Sequence, residues 1–203
     1  NENSLGSLLQ ENFHRYPDPL QKKLKEKIST IKNINIENIF IGNGSDEAID
    51  LLIRAFCNPA KDEILIFPPT YGMYEVCANI NDVEIKKVLL TERFELNIRE
   101  IKRQINPNTK LIFICSPNNP TGNSFDEKNM HELLSWFNGL VIIDEAYIDF
   151  SEKKSWLKRL NDYPNLVILQ TLSKAWALAG LRIGMAFASE QIIQILNKIK
   201  PPY

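Results

Sequence analysis

The sequence predicts an α/β domain, a three-layer α/β/α sandwich built on a mostly parallel sheet. Three observations carry this prediction. Short, continuous apolar runs recur along the chain, of the kind found in strands buried on both faces. Segments with helical apolar spacing separate them, which is the alternation of an α/β fold. Glycine, proline or asparagine turns close most of the runs. At 203 residues and 44% apolar composition, there is enough material for a substantial core.

The elements follow in order. Residues 1–17 are polar and irregular and read as an N-terminal arm, and residues 18–203 read as one domain. Residues 18–32 predict an amphipathic helix, with Leu20, Leu24, Ile28 and Ile31 inward and Lys22, Lys23, Lys25 and Lys27 on a solvated face. Ile39-Phe40-Ile41 is a short strand closed by Gly42-Asn43-Gly44, and the next helix buries Ala48, Ile49, Leu51, Leu52, Ala55 and Phe56. Glu63 to Phe67 is a strand stopped by Pro68-Pro69, followed by a helix from about Tyr71 to Ala78 and a strand from Glu84 to Leu89. Residues 96–105 suit a helix, and Lys110 to Cys115 is an apolar strand ended at Pro117. Ser124 and Glu127 have capping-box spacing before a helix carrying Met130, Leu133, Leu134 and Phe137. Leu140 to Ile143 is a strand, the stretch around Trp156 is helical or irregular, and Leu166 to Leu169 is a strand. Arg182 to Ala188 predicts a further strand, and a last helix carries Ile192, Ile193, Ile195, Leu196 and Ile199.

Composition excludes several function classes. The net charge is −1 and the 24 basic residues are scattered, so no global field recruits nucleic acid or an anionic membrane. Cys57, Cys77 and Cys115 are odd in number and far apart, and the only histidines are His14 and His131. Buried free thiols in a reducing cytoplasm fit this pattern better than a zinc site or a disulfide framework. No apolar run reaches the length of a membrane span and Asn1 opens no signal peptide, so a cytoplasmic location is expected. The Asn-Glu-Asn start and the Lys200-Pro201-Pro202-Tyr203 end suggest truncation at both ends.

In folds of this class ligands bind beyond the carboxyl ends of the strands, so the residues placed there matter most. After the first strand, Gly42-Asn43-Gly44-Ser45-Asp46-Glu47 leads into a helix whose free N–H groups suit a phosphate. Alone, this is an ordinary capped turn. The acidic pair, and the absence of a GxxxxGK[ST] motif, argue against a nucleotide triphosphate. After the 110–115 strand, Ser116-Pro117-Asn118-Asn119-Pro120-Thr121-Gly122 forms a turn stiffened by two prolines. After the 140–143 strand comes Asp144-Glu145-Ala146-Tyr147, and an aspartate at a buried strand tip needs a cationic partner unless it merely caps a helix. After the 166–169 strand comes Gln170-Thr171-Leu172-Ser173-Lys174, which places an amine nucleophile among apolar neighbours at a strand tip.

One cofactor calls for all of these groups together. Pyridoxal phosphate needs a lysine for its aldehyde, a carboxylate against its ring nitrogen, donors to its phenolate oxygen, an anion cradle and an aromatic over its face. Lys174, Asp144, Asn119 with Tyr147, the helix start at Ser45 with Ser173 and Arg182, and Tyr71 supply these in turn.

The order S-P-N-N-P-T-G, D-E-A-Y, T-L-S-K-A and A-G-L-R-x-G resembles the fold-type I aminotransferases, the aspartate aminotransferase superfamily, over nearly the whole chain. Within it, N-E-N at the start, R-Y-P-D at Arg15–Asp18, G-N-G-S-D-E, P-P-T-Y-x-M-Y and the closing K-P-P-Y resemble the histidinol-phosphate aminotransferase family. The resemblance implies that Lys174 binds the cofactor covalently and then moves the substrate proton. It implies that Asp144 pairs with the ring nitrogen, that Asn119 and Tyr147 tune the phenolate oxygen, and that Tyr71 stacks. Ser45, Asp46, Thr171, Ser173 and Arg182 would form the phosphate site. Tyr16 would reach the phosphate of the neighbouring subunit, which implies a homodimer. The implied reaction is transamination between L-histidinol phosphate and 2-oxoglutarate in histidine biosynthesis. The resemblance also implies a smaller C-terminal domain, absent here, with an arginine for the substrate carboxylate. A sister decarboxylase acting on a phosphorylated amino acid, an aromatic aminotransferase, a cofactor-sensing regulator and an inactive truncated remnant are the competing readings.

Overall fold

The computed structural model describes residues 16–201. Most of the expected N-terminal arm, including His14 and Arg15, lies outside the described residues, as do Pro202 and Tyr203. Seven strands, β1 (Ile39–Asn43), β2 (Glu63–Ile66), β3 (Glu84–Lys87), β4 (Thr109–Cys115), β5 (Leu140–Asp144), β6 (Leu166–Thr171) and β7 (Ile183–Phe187), form one sheet in the order β1-β7-β6-β5-β4-β2-β3. Among the described residues six α-helices accompany them: α1 (Lys22–Lys32), α2 (Ser45–Phe56), α3 (Met73–Ile80), α4 (Ile98–Gln104), α5 (Glu127–Trp136) and α6 (Glu190–Ile199). The sheet is parallel except for β7, which is antiparallel to both β1 and β6.

Alternation along the strands divides the core in two. Ile112, Ile114, Val141, Ile143, Leu166 and Ile168 pack on one face, with Ile101 of α4 and Met130 and Leu133 of α5. Leu111, Phe113, Cys115, Ile142, Val167 and Leu169 pack on the other, with Ile49 and Leu52 of α2, Tyr74 and Cys77 of α3, and Ile193 and Leu196 of α6. Because side chains alternate with period two, Asp144 follows Ile142 and Thr171 follows Leu169 to the second face. Cys115 is already packed there. Three strand ends therefore aim at the same side, towards the start of α2.

The elements lie where the apolar pattern places them, with corrections at their ends. Lys25 is buried, not solvated, and Ile31 is 62% exposed. Leu24, Lys25 and Ile28 form the inward stripe of α1, so the lysine covers core with its aliphatic stem. Leu89 lies beyond β3 and is exposed. Asp126, not Ser124, caps α5, accepting from the Asn129 N–H at 3.1 Å. The stretch around Trp156 is a 3-10 helix over Trp156–Asp162. Arg182 is not in a strand: it has left-handed backbone geometry, with φ 52°, immediately before β7. All three cysteines are buried and unbridged. Among the described residues no helix is long and apolar enough to cross a membrane, and no cluster of three or more acidic, histidine or cysteine side chains could hold a metal.

Candidate active site

β1, β4, β5 and β6 all deliver their carboxyl ends to one edge of the sheet. The reversed β7 begins at that edge, so Arg182 sits beside the Gly44 turn: the Gly44 N–H donates to the Arg182 carbonyl at 2.7 Å. This antiparallel strand converts a residue that precedes a strand into a member of the set that follows strands. A cavity of about 180 Å³ opens at this edge. Ser45 and Asp46 line it from the start of α2, Tyr71 from the loop before α3, and Asn119 from the proline turn after β4. Asp144 and Tyr147 line it from the end of β5, and Thr171, Ser173, Lys174 and Arg182 from the β6–β7 connection.

Ten of the eleven side chains singled out from the sequence thus meet in one cavity. The eleventh, Tyr16, does not line it and is 87% exposed. Lys174 is exposed rather than wrapped in apolar neighbours. Lys174 Nζ lies 5.4 Å from the ring centroid of Tyr147. The chain turns sharply after Ser173, and the segment from Lys174 to Arg182 lies on the surface, so the strand tip gives the lysine a mouth position instead of a core one.

Two glycines shape the cavity's anion end. Gly44 has φ +84°, and a Cβ on it would lie 2.6 Å from Arg182 Nη2. A Cβ on Gly184 would lie 2.1 Å from the backbone carbon of Gly44 and the backbone nitrogen of Ser45. Only bare backbone lets β7, the α2 start and the Arg182 guanidinium come this close. At the α2 start no side chain caps the helix, which leaves its first N–H groups facing the cavity. Thr171 is turned by its own bonds: its hydroxyl donates to the Ile183 carbonyl at 3.2 Å and accepts from the Ser173 N–H at 3.1 Å.

At the cavity floor, Asp144 is 2% exposed. Tyr74 donates its hydroxyl to Asp144 Oδ2 at 2.8 Å, and the Ala146 N–H donates to Oδ1 at 3.0 Å. Burial pushes the carboxyl up to about 6 from 3.8. The Tyr74 and Ala146 hydrogen bonds pull it down, Asp46 adds a push upward, and Lys174 pulls down. Beside it, burial and then the charge of Asp144 push the Cys115 thiol up to about 12, so it remains neutral. Tyr71 donates to Asp46 Oδ1 at 3.1 Å, and burial, followed by that carboxylate, raises its phenol.

Sequence reasoning missed Gly44, Cys115 and Ala146 as lining residues, and Tyr74 as the partner of Asp144. The spacing of Tyr71 and Tyr74, one helical turn apart, was the available signal for Tyr74. The arrangement unites an amine, a buried carboxylate of raised pKa and an anion cradle. That set suits covalent capture of a phosphorylated carbonyl compound bearing a basic ring nitrogen.

Known proteins resemble this chain in sequence and fold. A histidinol-phosphate aminotransferase from Cytophaga hutchinsonii is 58% identical over 203 residues, all of this chain and 58% of that protein. One from Flavobacterium psychrophilum is 62% identical over 191 residues, 94% of this chain and 55% of that protein. The chain therefore spans a little over half the length of these curated relatives. Among solved structures, the histidinol-phosphate aminotransferase of Clostridium acetobutylicum superposes with a TM-score of 0.83 at 26% identity, over 93% of this chain and 57% of that one. An aspartate aminotransferase of Thermotoga maritima shares the fold, with a TM-score of 0.85 at 23% identity over 98% of this chain and 56% of that one. The family model for aminotransferase class I and II matches residues 2–203, and with these relatives it shows that the chain belongs to that family.

Proposed function

We propose that the full-length protein is a pyridoxal-phosphate-dependent aminotransferase that moves an amino group between L-histidinol phosphate and 2-oxoglutarate, in histidine biosynthesis. The observation that carries the cofactor assignment is the convergence of Lys174, Asp144 and the Ser45–Arg182 anion cradle on one cavity. The substrate assignment rests on the relatives, which bear the name histidinol-phosphate aminotransferase at 58% and 62% identity.

The residues present fit the cofactor. The N–H groups at the start of α2, Ser173 and Arg182 suit a phosphate, and the close approach at Gly44 and Gly184 keeps them together. Asp144 suits a protonated ring nitrogen, because a buried carboxylate whose proton is held too tightly gains most from a cation beside it. Asn119 and Tyr147 are the donors for a phenolate oxygen, and Tyr71 is the aromatic for the ring face. When bound, the cofactor supplies an electron sink that lets the substrate α-proton leave. Lys174 Nζ would hold the cofactor and would carry that proton from the substrate α carbon, and its position at the cavity mouth leaves it open to an incoming amine.

Tyr16 completes the reading as a contact to the phosphate site of a second subunit in a cytoplasmic homodimer, a role suited to its exposure. Residues 18–203 form the cofactor-binding domain, and an arginine beyond the matched stretch grips the carboxylate of glutamate or 2-oxoglutarate. Two assays test the assignment in the full-length protein. Borohydride reduction in the presence of pyridoxal phosphate should label Lys174. Glutamate should form from 2-oxoglutarate only when histidinol phosphate is the donor. Carbon dioxide release from a phosphorylated amino acid would instead assign a sister decarboxylase activity.

A further inference from the structure

Tyr74 is fully buried on α3, with Tyr71 and Phe113 against its ring and Asp144 and Cys115 beside its hydroxyl. Its ring stacks on Phe113, with centroids 4.9 Å apart and planes at 20°. It also meets Tyr71 edge to face at 5.6 Å and 84°. Its hydroxyl donates to Asp144 Oδ2 at 2.8 Å. Phenylalanine would fill the same volume and keep both ring contacts, so packing alone gives no reason for the oxygen. A phenol buried this deeply needs an acceptor, and the one it has is the carboxylate at the cavity floor. With Ala146 N–H on the other oxygen, each carboxylate oxygen holds one donor and retains a lone pair.

We propose, building on the cofactor assignment above, that Tyr74 is a positioning residue. Its hydroxyl holds Asp144 in the orientation and ionised state that meets the cofactor's ring nitrogen, and its ring braces Tyr71 over the cofactor's face. One side chain thus couples two cofactor contacts that come from different elements.

The groups facing Asp144 set what its loss would do. Tyr74 and Tyr71 approach from α3 and the loop before it, Cys115 from the end of β4, Asp46 from α2 and Lys174 from beyond β6. Cys115 is neutral and Asp46 opposes ionisation, which leaves Tyr74, Ala146 and Lys174 to favour it. Without the Tyr74 hydroxyl, Asp144 takes up its proton at higher pH.

The test uses the full-length protein with Tyr74→Phe, its fold checked by thermal melting. Pyridoxal phosphate is titrated by quenching of intrinsic fluorescence from pH 5 to 9. The acid limb of the affinity profile should move up by about one pH unit, a loss of about tenfold at the acid end and little change at the alkaline end. A role in packing alone would lower affinity equally at every pH. In an Asp144→Asn background, Tyr74→Phe should move the profile no further, since no carboxylate remains to titrate. A Tyr74→Phe profile that superimposes on the wild type, or a shift that persists in the Asp144→Asn background, overturns the inference. Borohydride labelling separates the two layers of the argument. A wild-type protein that takes no label at Lys174 removes the cofactor assignment and this inference together, whereas a labelled wild type with an unmoved variant profile removes the inference alone.

Discussion

Burial puts the Asp144 carboxyl under energetic tension. A carboxyl raised from 3.8 to about 6 binds its proton more tightly in the folded chain than in the unfolded one. Its contribution to stability is therefore greatest below pH 3.8 and is lost as pH rises through about 6, by about 3 kcal/mol at neutral pH. A cationic ring nitrogen beside it, as proposed above, would reverse that loss and turn the strain of the cofactor-free protein into affinity for the cofactor. Cofactor-free Asp144→Asn should melt higher than the wild type at pH 8, with the difference closing towards pH 4; a gain independent of pH would refute the assignment of the strain to ionisation. Lys174→Ala in the full-length protein should lose the borohydride label and reduce transamination by roughly 10²- to 10⁴-fold, the usual range for removing an acid–base group. It should still bind the cofactor through the phosphate cradle, as measured by equilibrium dialysis. These two residues were legible from their motifs. Tyr74 was not, because a buried aromatic on an apolar stripe looks the same whether its hydroxyl is idle or engaged.

Strands and helices followed from periodicity, while their directions did not. Nothing in Ile183 to Phe187 says that β7 runs against its neighbours, yet that reversal places Arg182 beside Gly44. Gly184 records the reversal, since its hydrogen takes the place of a methyl group that would collide with the α2 start. Gly184→Ala should cost on the order of 1–3 kcal/mol, read as a lower melting temperature. It should also weaken binding of pyridoxal phosphate, because the Ser45 N–H is pushed from Arg182. Unchanged affinity would show that the cradle tolerates the displacement. The misassigned face of α1 has a similar origin. A lysine is polar by composition and amphipathic by shape, and only the neighbouring core decides that Lys25 lies over it while Ile31 faces outward.

Across the whole molecule, apolar side chains remain exposed near the cavity edge. Trp176 is 43% exposed, Leu181 54% and Phe150 68%, all in the segments that follow β5 and β6. Such side chains gathered beside a functional cavity mark a surface suited to further protein. Sedimentation of the full-length protein should give a dimer, and a monomer with full activity would remove Tyr16 from the neighbouring subunit's site. By itself the sequence determined the layered architecture and ten cavity residues, because apolar period and strand-end chemistry are local properties written in consecutive residues. Only the tertiary structure decided the reversal of β7, the burial of Lys25, the mouth position of Lys174 and the grip of Tyr74 on Asp144. Each of these depends on which distant segment packs alongside, and a local pattern does not encode that.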